Sequence, residues 1–429
     1  MKKYESYKES GVDWIGRIPE NWNVVKLKFI TDIYNGNSLN DDLKVKFESN
    51  NLDDLPYIGT KDVSPDSHVI NYNNGLRIPI KEEKYKIAPK GSFLLCIEGG
   101  SAGKKMGFIE QDVCFVNKLA CFNYKNKFMF YFAQSKPFKN QFFNSMSGLI
   151  GGVSISIIRN FYSSIPSEKE QTQIAKYLDH KTQIIDGLLE KKEQLIKKLQ
   201  AQRQAIINEA VTKGLDKNAK LKDSGIEWLG EIPEHWEVVK LKFLVSDKLK
   251  YGANESAEDE NIKDPRYIRI TDFGNDGKLK KNTFKSLTFE KAEEYLLKNG
   301  DILFARSGAT VGKTFQFKNY NGLACFAGYL IKASVNDKIL SDYLYYYTKS
   351  NIYENWKNSI FVQATIQNIS AEKYNNLEIP TPNSIKEQNS IVKKINEKAF
   401  IIDKVINKSF NQIKKLKTYR QSIISEAVT

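Results

Sequence analysis

The stretch Ser307-Gly308-Ala309-Thr310-Val311-Gly312-Lys313-Thr314 has the look of a phosphate-binding loop. That chemistry needs a glycine with four residues between it and the Gly-Lys pair, and Ser307 holds that position. It also needs a helix N-terminus behind the loop to hold the phosphates, whereas Phe315-Gln316-Phe317 reads as a strand. A second loop, Gly99-Gly100-Ser101-Ala102-Gly103-Lys104-Lys105, has lysine where a magnesium-binding hydroxyl would stand. Nucleotide hydrolysis is therefore disfavoured. Two readings stay open: a glycine-rich hairpin that holds Lys104, Lys105, Arg306 and Lys313 against a nucleic-acid backbone, or a plain turn with solvated lysines. No H-E-x-x-H occurs, and no dinucleotide fingerprint follows a strand. The Asn/Asp-Pro-Pro-aromatic tetrapeptide of an adenine methyltransferase is missing too. Three scattered histidines (His68, His180, His235) make no ligand cluster, and four cysteines without a C-x-x-C pair read as reduced core thiols. The expectation is a chain that performs no chemistry alone.

Those loops are carried by a duplicated frame. Residues 7–30 and 221–244 are identical at 15 of 24 positions, and residues 170–212 and 387–429 at 21 of 43. A period this long means two copies of a domain-plus-helix unit, not a solenoid. Ser167-Glu168-Lys169-Glu170 and Ser384-Ile385-Lys386-Glu387 fit a capping box, in which Glu reaches back to the cap amide. Apolar residues then recur at heptad steps: Ile174, Leu178, Ile185, Leu188, Leu195, Leu199 and Ile206, and in the second copy Ile391, Ile395, Ile402, Val405, Leu416, Tyr419 and Ile423. Gly214 ends the first helix. Each helix would be about 65 Å long at 1.5 Å per residue, and its obvious partner is its own duplicate. Lys181 and Lys398 are placed in the stripe, either fixing register or contacting another subunit. The domains between read as mixed α and β, with Phe93–Ile97 and Asp301–Ala305 as buried strands and Phe128–Ala133 and Tyr343–Tyr347 as helix segments.

The chain has 429 residues, 65 Lys plus Arg against 51 Asp plus Glu, and a net charge of +14. Such an excess points to a polyanionic partner. With 41% hydrophobic residues it is a globular composition, and no apolar run reaches the roughly 18 residues of a membrane span. Two lysines near the start have no apolar run behind them, so the expected location is cytoplasmic, with no membrane partner. Trp14, Trp22, Trp228 and Trp236 recur in the first repeated block, as core anchors or as a docking surface for another subunit.

The twice-occurring D/E-W-I/L-G-x-I-P-E-x-W block, the I-P…E-Q entry to a long helix and the closing R-Q-x-I-I-x-E-A-V-T resemble the specificity subunit of type I restriction–modification systems, over the whole chain. The resemblance implies an α+β fold with tandem pseudo-twofold duplication: two similar target-recognition domains (1–165 and 214–382) and two long antiparallel coiled-coil helices (166–213 and 383–429). It implies double-stranded DNA, two methylation subunits and two restriction subunits as partners. No cofactor is expected on this chain; S-adenosylmethionine, ATP and Mg2+ would belong to the partner subunits. The duplicated helices differ in charge, so the faces that bind each subunit do not carry over.

Two homologous but non-identical basic domains should read two different half-sites, an asymmetric split target, where a symmetric dimer would read a palindrome. The rival class is an architectural protein that binds DNA by charge alone. The residues expected to contact DNA are Lys61, Lys104, Lys105 and Asn117 in the first domain and Arg269, Arg306, Lys313 and Gln363 in the second. Arg and Lys suit guanine, and Asn and Gln suit adenine.

Overall fold

The structure, a computed structural model, describes residues 4–65, 67–124, 126–146, 151–274, 277–308, 310–361 and 368–429. The chain divides into two compact units: residues 1–193 with 410–429, and residues 194–409. Both long helices, Glu168–Lys213 and Ile385–Val428, are thus divided between units and do not stand as separate spacers.

The first unit is built on an antiparallel sheet in the order Asp32–Asn35, Leu119–Asn123, Phe93–Cys96, Met106–Phe108. A second sheet holds a parallel pair, Leu55–Ile58 with Val113–Phe115, in the register Tyr57 to Cys114. The central strand Phe93–Cys96 is buried along its whole length, as a strand covered on both faces must be. Its side chains alternate. Phe93 and Leu95 join the cluster of Trp22, Phe128, Leu178 and Ile424, while Leu94 and Cys96 join that of Ile58, Phe115 and Cys121. An unbroken apolar run in the sequence is therefore two period-2 faces, one toward the long helices and one toward the parallel pair.

The second unit repeats this plan. Its sheet runs Lys250–Tyr251, Leu330–Ala333, Ile302–Ala305, Thr314–Gln316, and Arg266–Ile268 pairs in parallel with Ala324–Phe326. Ile302 and Phe304 face the cluster of Trp236, Val211 and Ile391; Leu303 and Ala305 face that of Ile268 and Phe326. All four cysteines are buried and free, and burial pushes the Cys114 and Cys325 thiols up to about 12.

The buried stripe of the first helix is Ile174, Leu178, Thr182, Ile185, Leu189, Lys192, Ile196 and Leu199, all buried or half-buried. The second helix repeats it as Ile391, Ile395, Ala399, Ile402, Ile406, Ser409, Ile413 and Leu416. The expected stripe slipped by one residue midway: Leu188, Leu195, Val405 and Tyr419 are exposed, and Leu189, Ile196 and Ile406 turn inward instead. Lys181 and Lys398 accordingly lie beside the stripe, whose positions belong to Thr182 and Ala399.

The caps also differ from expectation. Ser167 Oγ accepts the Glu170 amide at 3.4 Å, but the Glu170 carboxylate receives Tyr4 Oη at 2.6 Å. Glu387 likewise receives Trp236 Nε1 at 2.9 Å. Glu170 ties its helix to the segment just before the first repeated block, and Glu387 ties its own to that block, rather than closing a capping box. The following glutamines, Gln171 and Gln388, are buried and bridge the Pro166 and Pro382 carbonyls to the neighbouring loops.

The closing R-Q-x-I-I-x-E-A-V-T motif docks the end of each long helix. Gln421 Nε2 donates to the Gln134 carbonyl at 2.8 Å, and Gln204 Nε2 to that of Lys349 at 2.7 Å. Ser425 Oγ accepts the Lys136 amide and Asn208 Oδ1 the Asn351 amide, at the starts of helices Lys136–Asn144 and Asn351–Phe361. Arg420 grips Asp186 with two nitrogens, and Arg203 faces Asp403 at 3.4 Å. The later residue on the first helix pairs with the earlier on the second, the order antiparallel helices require.

Candidate nucleic-acid interface

Each core strand leaves the sheet into a glycine hairpin. In the first unit Cys96 exchanges hydrogen bonds with Gly103 and Lys105, and Gly99 and Gly103 adopt φ of +83° and +71°. In the second, Ala305 does the same with Gly312 and Lys313, with Gly308 and Gly312 at +81° and +80°. Thr314–Gln316 then continues as a strand. The loop is a hairpin turn with no helix behind it; Lys104 is exposed, and Lys105 and Lys313 are half-buried.

Two further turns meet the first hairpin. Lys105 Nζ donates to the Thr60 carbonyl at 2.8 Å, which brings Lys61 alongside. Ile97 N–H donates to the Lys118 carbonyl at 3.0 Å, which brings Asn117 alongside. Lys61, Lys104, Lys105 and Asn117 therefore gather at the exit of strand Phe93–Cys96. Lys118, exposed and next to Asn117, belongs to the same group and was not singled out in the sequence.

In the second unit the expected residues separate. Arg306 and Lys313 flank the hairpin. Arg269 does not serve as a free reader: its Nε and backbone N–H donate to Asp272 Oδ2, and a terminal nitrogen donates to the Thr283 carbonyl at 2.7 Å. Asp272 is fully buried and also faces Arg266 at 3.6 Å, so these donors are needed to offset its desolvation. Gln363 lies outside the described residues. Lys349, missed in the sequence, lies beneath the hairpin with Nζ on the Thr314 carbonyl at 2.7 Å. Burial, with the charge of Lys313, holds its ammonium down to about 8. Among the described residues no cluster of His, Cys, Asp and Glu could hold a metal, and no helix is long and apolar enough to cross a membrane.

The docking candidates also divide. Trp22 and Trp236 are core, packed against Phe128 and Tyr343, and offer nothing to another protein. Trp14 is exposed and Trp228 half-buried. Lys181 is half-buried and Lys398 exposed. Large apolar residues are exposed at equivalent positions of the two units: Phe29 and Phe243, Ile184 and Ile401, Leu188 and Val405.

His68 offers a pH handle in the first unit. It sits at φ +57° with Nδ1 3.1 Å from the Met106 carbonyl oxygen and its ring edge-on to Phe130. Burial, reinforced by Arg420 and Lys139, holds its imidazole down to about 4. A histidine that is neutral in the fold and protonates near 6.5 when unfolded stabilises fully above pH 6.5 and loses that contribution as pH falls toward 4. His68→Asn, which tolerates the left-handed backbone, is expected to lose less stability between pH 7 and 5 than wild type, by about 2 kcal/mol. Hydrogen exchange of the first unit at the two pH values tests this; equal losses would refute it.

The description "Type I restriction modification DNA specificity domain" matches residues 19–198 and 233–415. The chain is 25% identical to the type I restriction enzyme MjaVIII specificity subunit of Methanocaldococcus jannaschii, over 94% of this chain and 91% of that one. It is 22% identical to the EcoKI specificity subunit of Escherichia coli K12, over 96% and 89%. A chain solved in work on complex assembly and conformational transition of the type I R-M system superposes with a TM-score of 0.71 at 16% identity, over 96% and 98%. The HsdS subunit of Thermoanaerobacter tengcongensis gives 0.50 at 16%, over 96% and 97%. With the same domain matched once in each half, the chain belongs to the type I restriction–modification DNA specificity family and carries two recognition domains.

Proposed function

We propose that this chain reads an asymmetric, two-part DNA sequence, one unit per half-site, and holds two methylation and two restriction subunits on it. The observation that carries the reading is a shared frame with different residues at its reading edge. Both units present a glycine hairpin at the exit of a core strand with a lysine at the same place, Lys105 and Lys313, yet around it one carries Lys104 and Asn117 and the other Arg306. Different side chains on equivalent positions should select different bases. The two-fold partner count is supported by what the units have in common: Phe29 and Phe243 are 71% and 56% exposed inside an otherwise identical V-V-K-L-K-F run. A large apolar residue kept at the same exposed place twice suits a partner that binds twice. The chain itself is non-catalytic in this reading. S-adenosylmethionine, ATP and Mg2+ act on the partner subunits.

The test is to map methylated adenines in DNA from cells that express this chain with its methylation subunit. One asymmetric motif with an unread gap is expected, and no methylation when the chain is expressed alone. A palindromic motif, or methylation without sequence preference, would overturn the proposal.

A further inference from the structure

Arg306 stands apart from every other arginine. The chain has eight. Six pair with carboxylates: Arg17 with Glu9, Arg159 with Asp32, Arg203 with Asp403, Arg266 and Arg269 with Asp272, and Arg420 with Asp186. Arg77 donates to the Asp54 carbonyl. Among the described residues the guanidinium of Arg306 has neither; it lies over the ring of Tyr251, 4.7 Å from the centroid. Its Nε is buried with no hydrogen-bond partner among the described residues, although the residue as a whole is half-exposed. The terminal nitrogens are therefore the part that meets solvent.

Both ends of this stack are fixed. The Arg306 amide donates to the Tyr329 carbonyl at 3.0 Å, and the Arg306 carbonyl accepts the Ile369 amide at 2.8 Å. Tyr251 pairs with Ile331 in the sheet, and its hydroxyl accepts the Ala371 amide at 3.0 Å. Tyr329, 65% exposed, borders the same edge. A planar fork clamped on an aromatic face, with no acid paired to it among the described residues, loses little freedom when it meets a flat acceptor pair.

From this we infer that Arg306, oriented by Tyr251, is a guanine reader of the second unit, its two terminal nitrogens donating to N7 and O6 in the major groove. The inference rests on the DNA-reading role proposed above. A phosphate would not need the clamp, and the flexible Lys313 beside it serves that purpose. The first unit cannot use the same device. Register places Ile97 where Arg306 stands and Asn35 where Tyr251 stands: Cys96 faces Leu119 as Ala305 faces Leu330, and Asn35 faces Ala120 as Tyr251 faces Ile331. Ile97 is buried and apolar. The guanine contact is thus specific to one half-site.

The experiment uses the full chain with its methylation subunit and duplexes carrying the mapped motif. Each guanine of the second unit's half-site is replaced in turn by 7-deazaguanine, which lacks the N7 acceptor. Arg306→Met, which keeps the packing over Tyr251, is expected to weaken binding to the native duplex about tenfold to a hundredfold. One 7-deazaguanine should impose a similar loss on wild type and no further loss on the variant, and the motif should relax at that base pair alone. Arg306→Lys keeps the charge but not the planar fork that Tyr251 holds, so it should bind DNA of unrelated sequence as wild type does yet discriminate that base pair less sharply, a pattern a folding defect would not give. Equal weakening on all sequences with a shallower salt dependence would mean a phosphate contact and overturn the inference, as would an unchanged motif. A wild-type complex with no split motif would instead overturn the DNA-reading role itself.

Discussion

Replacing residues 31–165 with the same stretch of a relative that has a different target is expected to exchange one half of the methylated motif and leave the other half unchanged. The frame that must survive the exchange is identifiable. Strand Tyr162–Ile165 pairs with the retained strand Asn23–Lys26 through its backbone, which tolerates a change of side chains. The exchanged stretch also reaches the retained helices through Tyr124 to Gln171, Tyr131 to Asp179 and Gln134 to Gln421. A donor with polar partners at these three places should dock without repacking. Adenine mapping of the chimera reads the outcome directly. If both halves of the motif changed together, the two units would not be independent readers.

Gly36→Ala and Gly252→Ala are each expected to unfold their own unit. A Cβ at Gly36 would lie 1.8 Å from the Phe115 carbonyl oxygen, and one at Gly252 would lie 2.2 Å from that of Phe326. The next residues explain the approach: the Asn37 and Ala253 amides donate to those same carbonyls at 2.9 Å. The obstacle is backbone, so no side chain can swing aside, and the cost should reach about 3 kcal/mol or more. Gly187→Ala is the control. It lies within the first long helix with open space around it and should gain up to about 1 kcal/mol. Because two units need not unfold together, hydrogen exchange per unit is the proper measurement. Loss of protection over 55–58 and 113–115 in Gly36→Ala, with residues 266–268 and 324–326 unaffected, is the expected pattern. Equal losses in both units would contradict it.

The duplication, the two long helices and the buried strands were legible because each leaves a period or a repeat in the sequence. The phase of the helix stripe was not. Leu188-Leu189 and Leu195-Ile196 are adjacent apolar pairs, and only the partner helix decides which member turns inward. Lys181 and Lys398 were misplaced with it. Arg269 looked like Arg306 because both are arginines at strand exits; what separates them is Asp272 beside one and Tyr251 beside the other. Those are tertiary neighbours with no local signal. Trp22 and Trp236 were ambiguous for the opposite reason, since an anchor and a docking residue share a composition. Their burial resolves it.

Residues 194–409 form a contiguous stretch, whereas the other unit needs residues 410–429 to be complete. During synthesis the order of manufacture is therefore not the order of completion. The second unit can close while the first still waits for Ile423, Ile424, Ala427 and Val428 to fill its core beside Trp22, Ile174 and Leu178. Until the ribosome delivers them, the oldest part of the polypeptide holds an open apolar groove, and the last helical turns act as its keystone. A premature stop at codon 410 would therefore spare the half nearest to it and ruin the half made first.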